Sequence, residues 1–78
     1  MPYIAIKCYP KDRATKEAVV EKINAAFLEL WGCPQEVISI SVEEIAPADW
    51  QDQVVRAEIE PKEENMLILS GKKRYNQA

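Results

Sequence analysis

Apolar residues alternate with more polar ones along positions 2–9, so that Ile4, Ile6 and Cys8 share one face of an extended chain. Period-two alternation with β-branched and aromatic residues is typical of a β-strand. Pro10 ends the segment because proline has no N–H to donate to a neighbouring strand. The pattern therefore predicts a first strand that begins at position 2.

The apolar spacing changes to three and four residues between Thr15 and Trp31, which is typical of one face of a helix. This face consists of Val19, Val20, Ile23, Ala26, Phe27, Leu30 and Trp31. Asp12 or Thr15 is the candidate N-cap, and Gly32 followed by Cys33-Pro34 ends the helix. We predict a helix of about 17 residues, about 25 Å long.

Alternation returns from Val37 to Ile45, where Ile38, Ile40 and Val42 share one face. This segment is predicted to be a second strand, and the strand–helix–strand order predicts a βαβ unit with parallel strands. Two strands and one helix leave a sheet face and both sheet edges uncovered. We therefore predict an α/β fold whose sheets pack against one another by oligomerisation.

The last third of the chain has a weaker pattern. Pro47 suits the first turn of a short helix. Pro61 suits the start of another helix that ends at Gly71, and the alternative for positions 66–69 is a short strand, because that apolar run is brief. The polar stretch 72–78 is expected to be arm-like or frayed.

The composition describes one small folded domain over positions 1–78, with 47% hydrophobic and 29% charged residues. A chain this short is marginally stable alone, and disulfides, a metal or oligomerisation usually compensate. Two cysteines and no histidine are a poor basis for a disulfide framework or a metal site. We expect a homo-oligomer without a metal.

The net charge and the apolar runs limit which classes of binding partner the protein can have. The formal net charge is −3, which argues against the cationic face that nucleic-acid binding needs. No apolar run approaches the roughly 20 residues of a membrane span, and no secretory signal is visible at the N-terminus. We expect a cytoplasmic protein that binds neither nucleic acid nor membrane.

Few side chains offer catalytic chemistry, since neither cysteine has a histidine base and the paired acids Glu43-Glu44 suit a solvated face. Pro2 is the remaining candidate. Removal of Met1 would leave a secondary amine at the start of a strand, where apolar walls and a cation disfavour its charged form. Such an amine can act as a general base near neutral pH. The competing interpretation is that Pro2 merely begins an edge strand.

Pro2 opens the run Pro-Tyr-Ile-Ala-Ile-Lys-Cys-Tyr-Pro, Cys33-Pro34 precedes the second strand, and Trp50 closes a Pro-Ala-Asp-Trp segment after it. Over positions 2 to about 60 these features resemble the 4-oxalocrotonate tautomerase family. They are most similar to its bacterial PptA-like members, which share the Ile-Lys-Cys-aromatic-Pro strand end and the Pro-x-x-Trp segment. A two-residue difference in the turn at 11–14 separates this chain from that group.

The resemblance implies a tautomerase without a cofactor that moves a proton within an enol or keto acid, with Pro2 as general base. It implies that Lys11, or Arg13 nearby, binds a substrate carboxylate, and that Trp50 forms an aromatic wall of the pocket. Ser39 stands where well-studied members carry an arginine. We therefore expect a small-molecule substrate with one acid group, such as phenylenolpyruvate, and Ser39 as a hydrogen-bond donor.

The resemblance leaves the assembly and two other functions open. The family forms hexamers, as trimers of dimers, and its PptA-like members include dimers. Ser39 in place of the second cation motivates a binding module of the same fold without catalysis. A dehalogenase or decarboxylase with a protonated Pro2 is the other alternative, although the sequence identifies no further group that would activate water.

Overall fold

Two parallel strands and the helix that joins them form the first part of the molecule. The computed structural model describes residues 1–75, and the chain falls into two compact units, Met1–Ala46 and a second that begins at Pro47. Strand β1 (Tyr3–Cys8) pairs in parallel with β2 (Ser39–Glu44). The predicted βαβ unit and its fold class are confirmed.

The register of the two strands aligns their apolar positions. Ile4 lies opposite Ile40 and Ile6 lies opposite Val42, and all four side chains are half-buried. The alternate positions are exposed: Tyr3, Ala5, Ser39, Ser41 and Glu43. Because side chains alternate between the two faces of a strand, the strand pair has one packed face and one uncovered face.

The connection between the strands is helix α1 (Arg13–Ala26), which continues as a π-helical segment (Phe27–Trp31). Asp12 is the N-cap, because its Oδ2 accepts a hydrogen bond of 2.9 Å from the Thr15 N–H. Gly32, at φ +78°, ends the helix in a left-handed conformation. The predicted helix is confirmed, and the structure selects Asp12 from the two candidate caps.

The second unit begins with helix α2 (Pro47–Trp50), which continues through a π-helical segment (Gln51–Ile59) and a 3₁₀ segment (Glu60–Asn65). Proline suits the first turn because a backbone N–H there has no partner within the helix. Val54 is the buried apolar side chain of this helical stretch, at 5% exposure. The predicted helix from Pro47 is confirmed.

A hairpin follows, in which β3 (Ile68–Leu69) pairs antiparallel with β4 (Lys72–Lys73). Ser70 at φ 50° and Gly71 at φ 81° form the turn between them. The strand alternative for positions 66–69 is confirmed at Ile68–Leu69. A helix as far as Gly71 is wrong, because the 3₁₀ segment ends at Asn65 and the backbone is already extended at Met66, with φ −82° and ψ 115°.

The polar segment 72–78 starts inside this hairpin. Lys72–Lys73 forms β4, and the Arg74 N–H donates a hydrogen bond of 2.7 Å to the Leu67 carbonyl. The expectation of an arm-like segment is therefore corrected for 72–74, since backbone hydrogen bonds hold that part of the chain. Positions 76–78 lie outside the described residues.

Few side chains are buried in a single copy of the chain. Within residues 1–75 the buried hydrophobic residues are Ile45 and Val54, at 6% and 5% exposure. Leu30 and Trp31, by contrast, are 83% and 71% exposed. Hydrophobic burial thus stabilises one copy only modestly. None of the helices in this range combines the length and the apolar character needed to cross a bilayer.

Candidate active site

Pro2 and Ser39 lie at the same end of the strand pair. The Ser39 N–H donates a hydrogen bond of 3.2 Å to the Pro2 carbonyl, one residue before the pairing of Tyr3 with Ser39. Pro2 is half-buried, whereas Ser39 is exposed on the uncovered face. The structure therefore brings together two of the predicted site residues, and backbone pairing holds Pro2 in place.

The nitrogen of Pro2 is an amide nitrogen while Met1 is attached, so it has no basic lone pair. Met1 is 88% exposed and precedes the first strand residue, Tyr3. An aminopeptidase can reach a residue exposed to this degree. Its removal would leave a secondary amine at the half-buried start of β1.

Lys11 and Arg13 lie beyond the opposite end of β1. The Lys11 backbone N–H donates a hydrogen bond of 2.9 Å to Oε2 of Glu44, the last residue of β2. The six residues of β1 span about 20 Å at roughly 3.3 Å per residue. Within one chain, the structure does not bring either predicted cation to Pro2.

The two candidate cations differ in their surroundings. The Nε of Arg13 donates a hydrogen bond of 2.8 Å to Oε2 of Glu17, in an ion pair one helical turn apart. Lys11 lies next to Asp12 in the chain. The pKa of Asp12 lies below the ordinary range, mainly because Thr15 donates hydrogen bonds to it and to a lesser degree because Lys11 is positively charged. Arg13 is thus already paired with a carboxylate on its own helix.

Glu44 also belongs to this region, although the sequence pattern assigned it, with Glu43, to a solvated face. Its Oε2 accepts hydrogen bonds from the Lys11 N–H, at 2.9 Å, and from Nζ of Lys16, at 2.8 Å. The Lys11 hydrogen bond, followed by that of Lys16, lowers the pKa of Glu44. Its position could have indicated this contact, because Glu44 ends β2 opposite Cys8, beside the loop that follows β1.

Trp50 belongs to the second unit, where it is the half-buried last residue of α2. Its place on a helix that starts at Pro47 agrees with the sequence pattern. Its role as an aromatic wall stays a prediction.

Among the described residues, no group of three or more cysteine, aspartate or glutamate side chains is arranged to hold a metal ion. The groups that carry chemistry are a latent secondary amine at Pro2, the hydroxyl of Ser39 at the same end of the strand pair, and the ammonium of Lys11 beyond the other end of β1. An amine precursor and a hydroxyl group therefore share one end of the strand pair, and an ammonium group lies beyond the other.

Comparison with known proteins identifies relatives that align with almost the whole chain, although no family model matches it. Tautomerase PptA of Escherichia coli O127:H6 (strain E2348/69 / EPEC) is 35% identical over 73 residues, which is 91% of this chain and 96% of the relative. Tautomerase PptA of Enterobacter sp. (strain 638) is 28% identical over the same shares. A protein of Xylella fastidiosa (strain 9a5c) named "Probable tautomerase" is 26% identical over 91% of this chain and 88% of its own.

Proposed function

Because this chain belongs to the PptA-like tautomerases and is thus an isomerase, we propose that it interconverts the enol and keto forms of a small organic acid with Pro2 as general base. The observation that carries this proposal is the half-buried Pro2 held by the Ser39 N–H behind an exposed Met1. The names of the relatives favour catalysis over a silent binding module. No observation on the described residues favours dehalogenation or decarboxylation.

The mechanism begins once Met1 is removed. The neutral nitrogen of Pro2 takes a proton from the enol hydroxyl, or from the carbon next to the carbonyl group (C3) of the keto acid, and an enolate forms. The Ser39 hydroxyl donates a hydrogen bond to the developing negative charge. Protonated Pro2 then returns the proton to the other position, so that atoms and charge balance. Such acid–base catalysis contributes on the order of 10²–10⁴-fold, and the step needs no cofactor.

The substrate carboxylate requires a cation, and the separation of about 20 Å between the ends of β1 supports its supply by a second copy of the chain. We therefore propose a homo-oligomer, a dimer or a hexamer of three dimers, in which the base of one copy faces the cation of its neighbour. The uncovered sheet face and the exposed side chains of Tyr3 and Trp31 support such an assembly.

Lys11 suits the carboxylate better than Arg13 does. The Arg13 guanidinium is paired with Glu17 at 2.8 Å, so binding a substrate there would compete with an existing ion pair. The Lys11 ammonium is a compact charge on a flexible stem. We assign the carboxylate-binding role to Lys11 and keep Arg13 as a source of additional positive charge.

One cation and one hydroxyl group suit a substrate with a single acid group. Ser39 can donate a hydrogen bond but cannot neutralise a second carboxylate. An aromatic wall from Trp50 would suit a ring on the substrate. Phenylenolpyruvate combines one carboxylate, an enol and a ring, and it is the substrate class that we propose.

The two cysteines of the described residues, Cys8 and Cys33, are both free thiols. Free thiols are typical of proteins in reducing compartments. We propose the cytoplasm as the location of the protein.

The experiment that tests this function compares Pro2→Ala with wild type on phenylenolpyruvate, after mass spectrometry of both proteins. We expect Met1 to be absent from the wild-type protein and kcat to fall at least about 100-fold in Pro2→Ala, with an unchanged circular dichroism spectrum. Pro61→Ala, at an exposed proline of the second unit, is the matched control and should keep full activity. Wild-type protein that is active with Met1 attached would contradict the mechanism.

A further inference from the structure

Glu44 joins three parts of the first unit at one oxygen atom. Its Oε2 accepts hydrogen bonds from the Lys11 backbone, at 2.9 Å, and from Nζ of Lys16 on α1, at 2.8 Å. On the other side of Lys11, Asp12 caps α1 through the Thr15 N–H, at 2.9 Å. The loop that carries Lys11 is thus fixed to β2 through Glu44 and to α1 through Asp12.

This contact differs from an ordinary surface ion pair. The side chains of Lys16 and Glu44 are 24% and 37% exposed, whereas those of Arg13 and Glu17 are 84% and 63% exposed. An ionised acceptor also makes a shorter and stronger hydrogen bond to a backbone N–H than a neutral acceptor does. The contact between Glu44 and Lys11 thus pairs a carboxylate with a backbone N–H, and it joins residues 33 positions apart.

The backbone on which Glu44 stands is itself held in place. The N–H of the next residue, Ile45, donates a hydrogen bond of 2.8 Å to the Cys8 carbonyl, and Ile45 is buried at 6% exposure. This hydrogen bond extends the strand pairing to the point where the loop leaves β1. Glu44 therefore has a fixed base from which to hold Lys11.

We propose that Glu44 is a positioning residue, which holds the backbone of Lys11 so that the ammonium group reaches the substrate carboxylate. The inference rests on the proposed function, in which Lys11 binds that carboxylate. Lys16 has a second effect, because its charge neutralises Glu44 and so limits the repulsion between Glu44 and an anionic substrate. A residue that acts through a binding contact changes KM, whereas the base Pro2 changes kcat.

Three substitutions separate these contributions. Glu44→Ala removes both hydrogen bonds, Glu44→Gln keeps an oxygen acceptor but loses the charge, and Lys16→Met removes the ion pair alone. Glu43→Ala is the matched control, because it makes the same change in charge one residue away, at an exposed position on the other face of β2.

The experiment measures kcat and KM for phenylenolpyruvate, the pH profile of kcat/KM, and amide hydrogen exchange at Lys11. We expect KM to rise roughly tenfold in Glu44→Ala, as for loss of a charged hydrogen bond, with kcat within about threefold of wild type. Glu44→Gln and Lys16→Met should each give a smaller rise. Lys11 exchange should be about tenfold faster in Glu44→Ala, and the pH profile should keep its shape in every variant.

Each outcome bears on a different claim. An unchanged KM in Glu44→Ala, with activity that still depends on Pro2, would overturn the positioning role alone. Unchanged exchange at Lys11 would overturn the loop contact. A wild-type protein that turns over no enol acid would overturn the proposed function, and this inference with it. Should Glu44→Ala not fold, Glu44→Gln must still raise KM above that of Glu43→Ala, and equal values would contradict the proposal.

Discussion

At the scale of single residues, Asp12 and Glu44 are two carboxylates whose ionised forms the fold stabilises. Hydrogen bonds from Thr15 lower the pKa of Asp12, and the Lys11 N–H, followed by Lys16, lowers that of Glu44. A lowered pKa in the folded state means that the unfolded chain binds protons more readily. Stability from both groups is therefore present above the ordinary carboxyl range and is lost as the pH falls through the folded-state pKa values.

This linkage predicts the acid response of a Glu44→Gln variant. At pH 7 its melting temperature should lie below that of wild type, because a charged acceptor has been lost. As the pH falls below about 4, the ordinary carboxyl range, wild type should lose more stability than Glu44→Gln, so that the two curves converge. Thermal unfolding followed by circular dichroism from about pH 3 to about pH 7, a range that spans carboxyl titration, measures the difference in melting temperature. Curves that stay parallel would contradict the role of Glu44, and Glu43→Gln should follow wild type.

The two carboxylates also differ in how well the sequence predicts them. Asp12 lies three positions before Thr15, and that local spacing already made it a candidate cap. Glu44 contacts Lys11 across 33 positions, and it is the parallel register of β1 with β2 that brings the two together. Without knowledge of that register, the sequence shows only the acidic pair Glu43-Glu44, which is typical of a solvated surface.

At the scale of elements, Gly32 ends the long helix at φ +78°. A Cβ added at this position would meet nothing within 4 Å, so the cost of substitution arises in the backbone. Gly32→Ala should lower the free energy of unfolding by about 1–2 kcal/mol, as measured by urea denaturation. Gly32→Asn should cost less, because asparagine adopts the left-handed conformation more readily. Equal costs for both variants would contradict this explanation of the helix end.

One residue of the hairpin turn, Ser70, is not the residue type that this turn prefers. Ser70 and Gly71 both have positive φ, as in a type I′ turn, for which Asn-Gly is the preferred pair. Ser70→Asn should raise the free energy of unfolding by about 0.5 kcal/mol, and Gly71→Ala should lower it. A shift of the urea midpoint measures both effects. A destabilising Ser70→Asn would show that Ser70 makes contacts that outweigh its backbone preference.

The long elements were predictable and the short ones less so. The bounds of β1 and β2, and those of α1 together with its π-helical continuation to Trp31, lie within two residues of the predicted ones, because alternation and helical spacing extend over several turns or pairs. The π-helical segment Phe27–Trp31 was not predicted, since five residues of apolar spacing do not distinguish one helical hydrogen-bond pattern from another. The strand Ile68–Leu69 is only two residues long, too short to show a period.

At the scale of the whole molecule, the proposed site combines residues from more than one copy of the chain. Pro2 and Ser39 share one end of the strand pair, and Lys11 lies beyond the other. The resemblance indicated which residues to consider, but residue types alone do not state whether they meet within one chain. The parallel pairing and the length of β1 provide that answer.

A mixing experiment tests the shared site. At substrate concentrations far below KM, Pro2→Ala and Lys11→Met should each be nearly inactive alone, because each lacks one part of every site. Unfolding and refolding an equimolar mixture should restore about a quarter of the wild-type activity, since random pairing in a symmetric oligomer gives one site in four with both residues intact. Mixing without unfolding is the control. No recovery after refolding would contradict a site built between copies.

The central claim is a neutral amine at the start of the chain, and ¹⁵N NMR of protein labelled at proline measures it directly. At pH 7 we predict that Pro2, in the protein isolated without Met1, gives the resonance of an unprotonated secondary amine. It should change to that of a protonated amine on acidification. A Pro2 resonance typical of an amide, or of an amine already protonated at pH 7, would contradict the account.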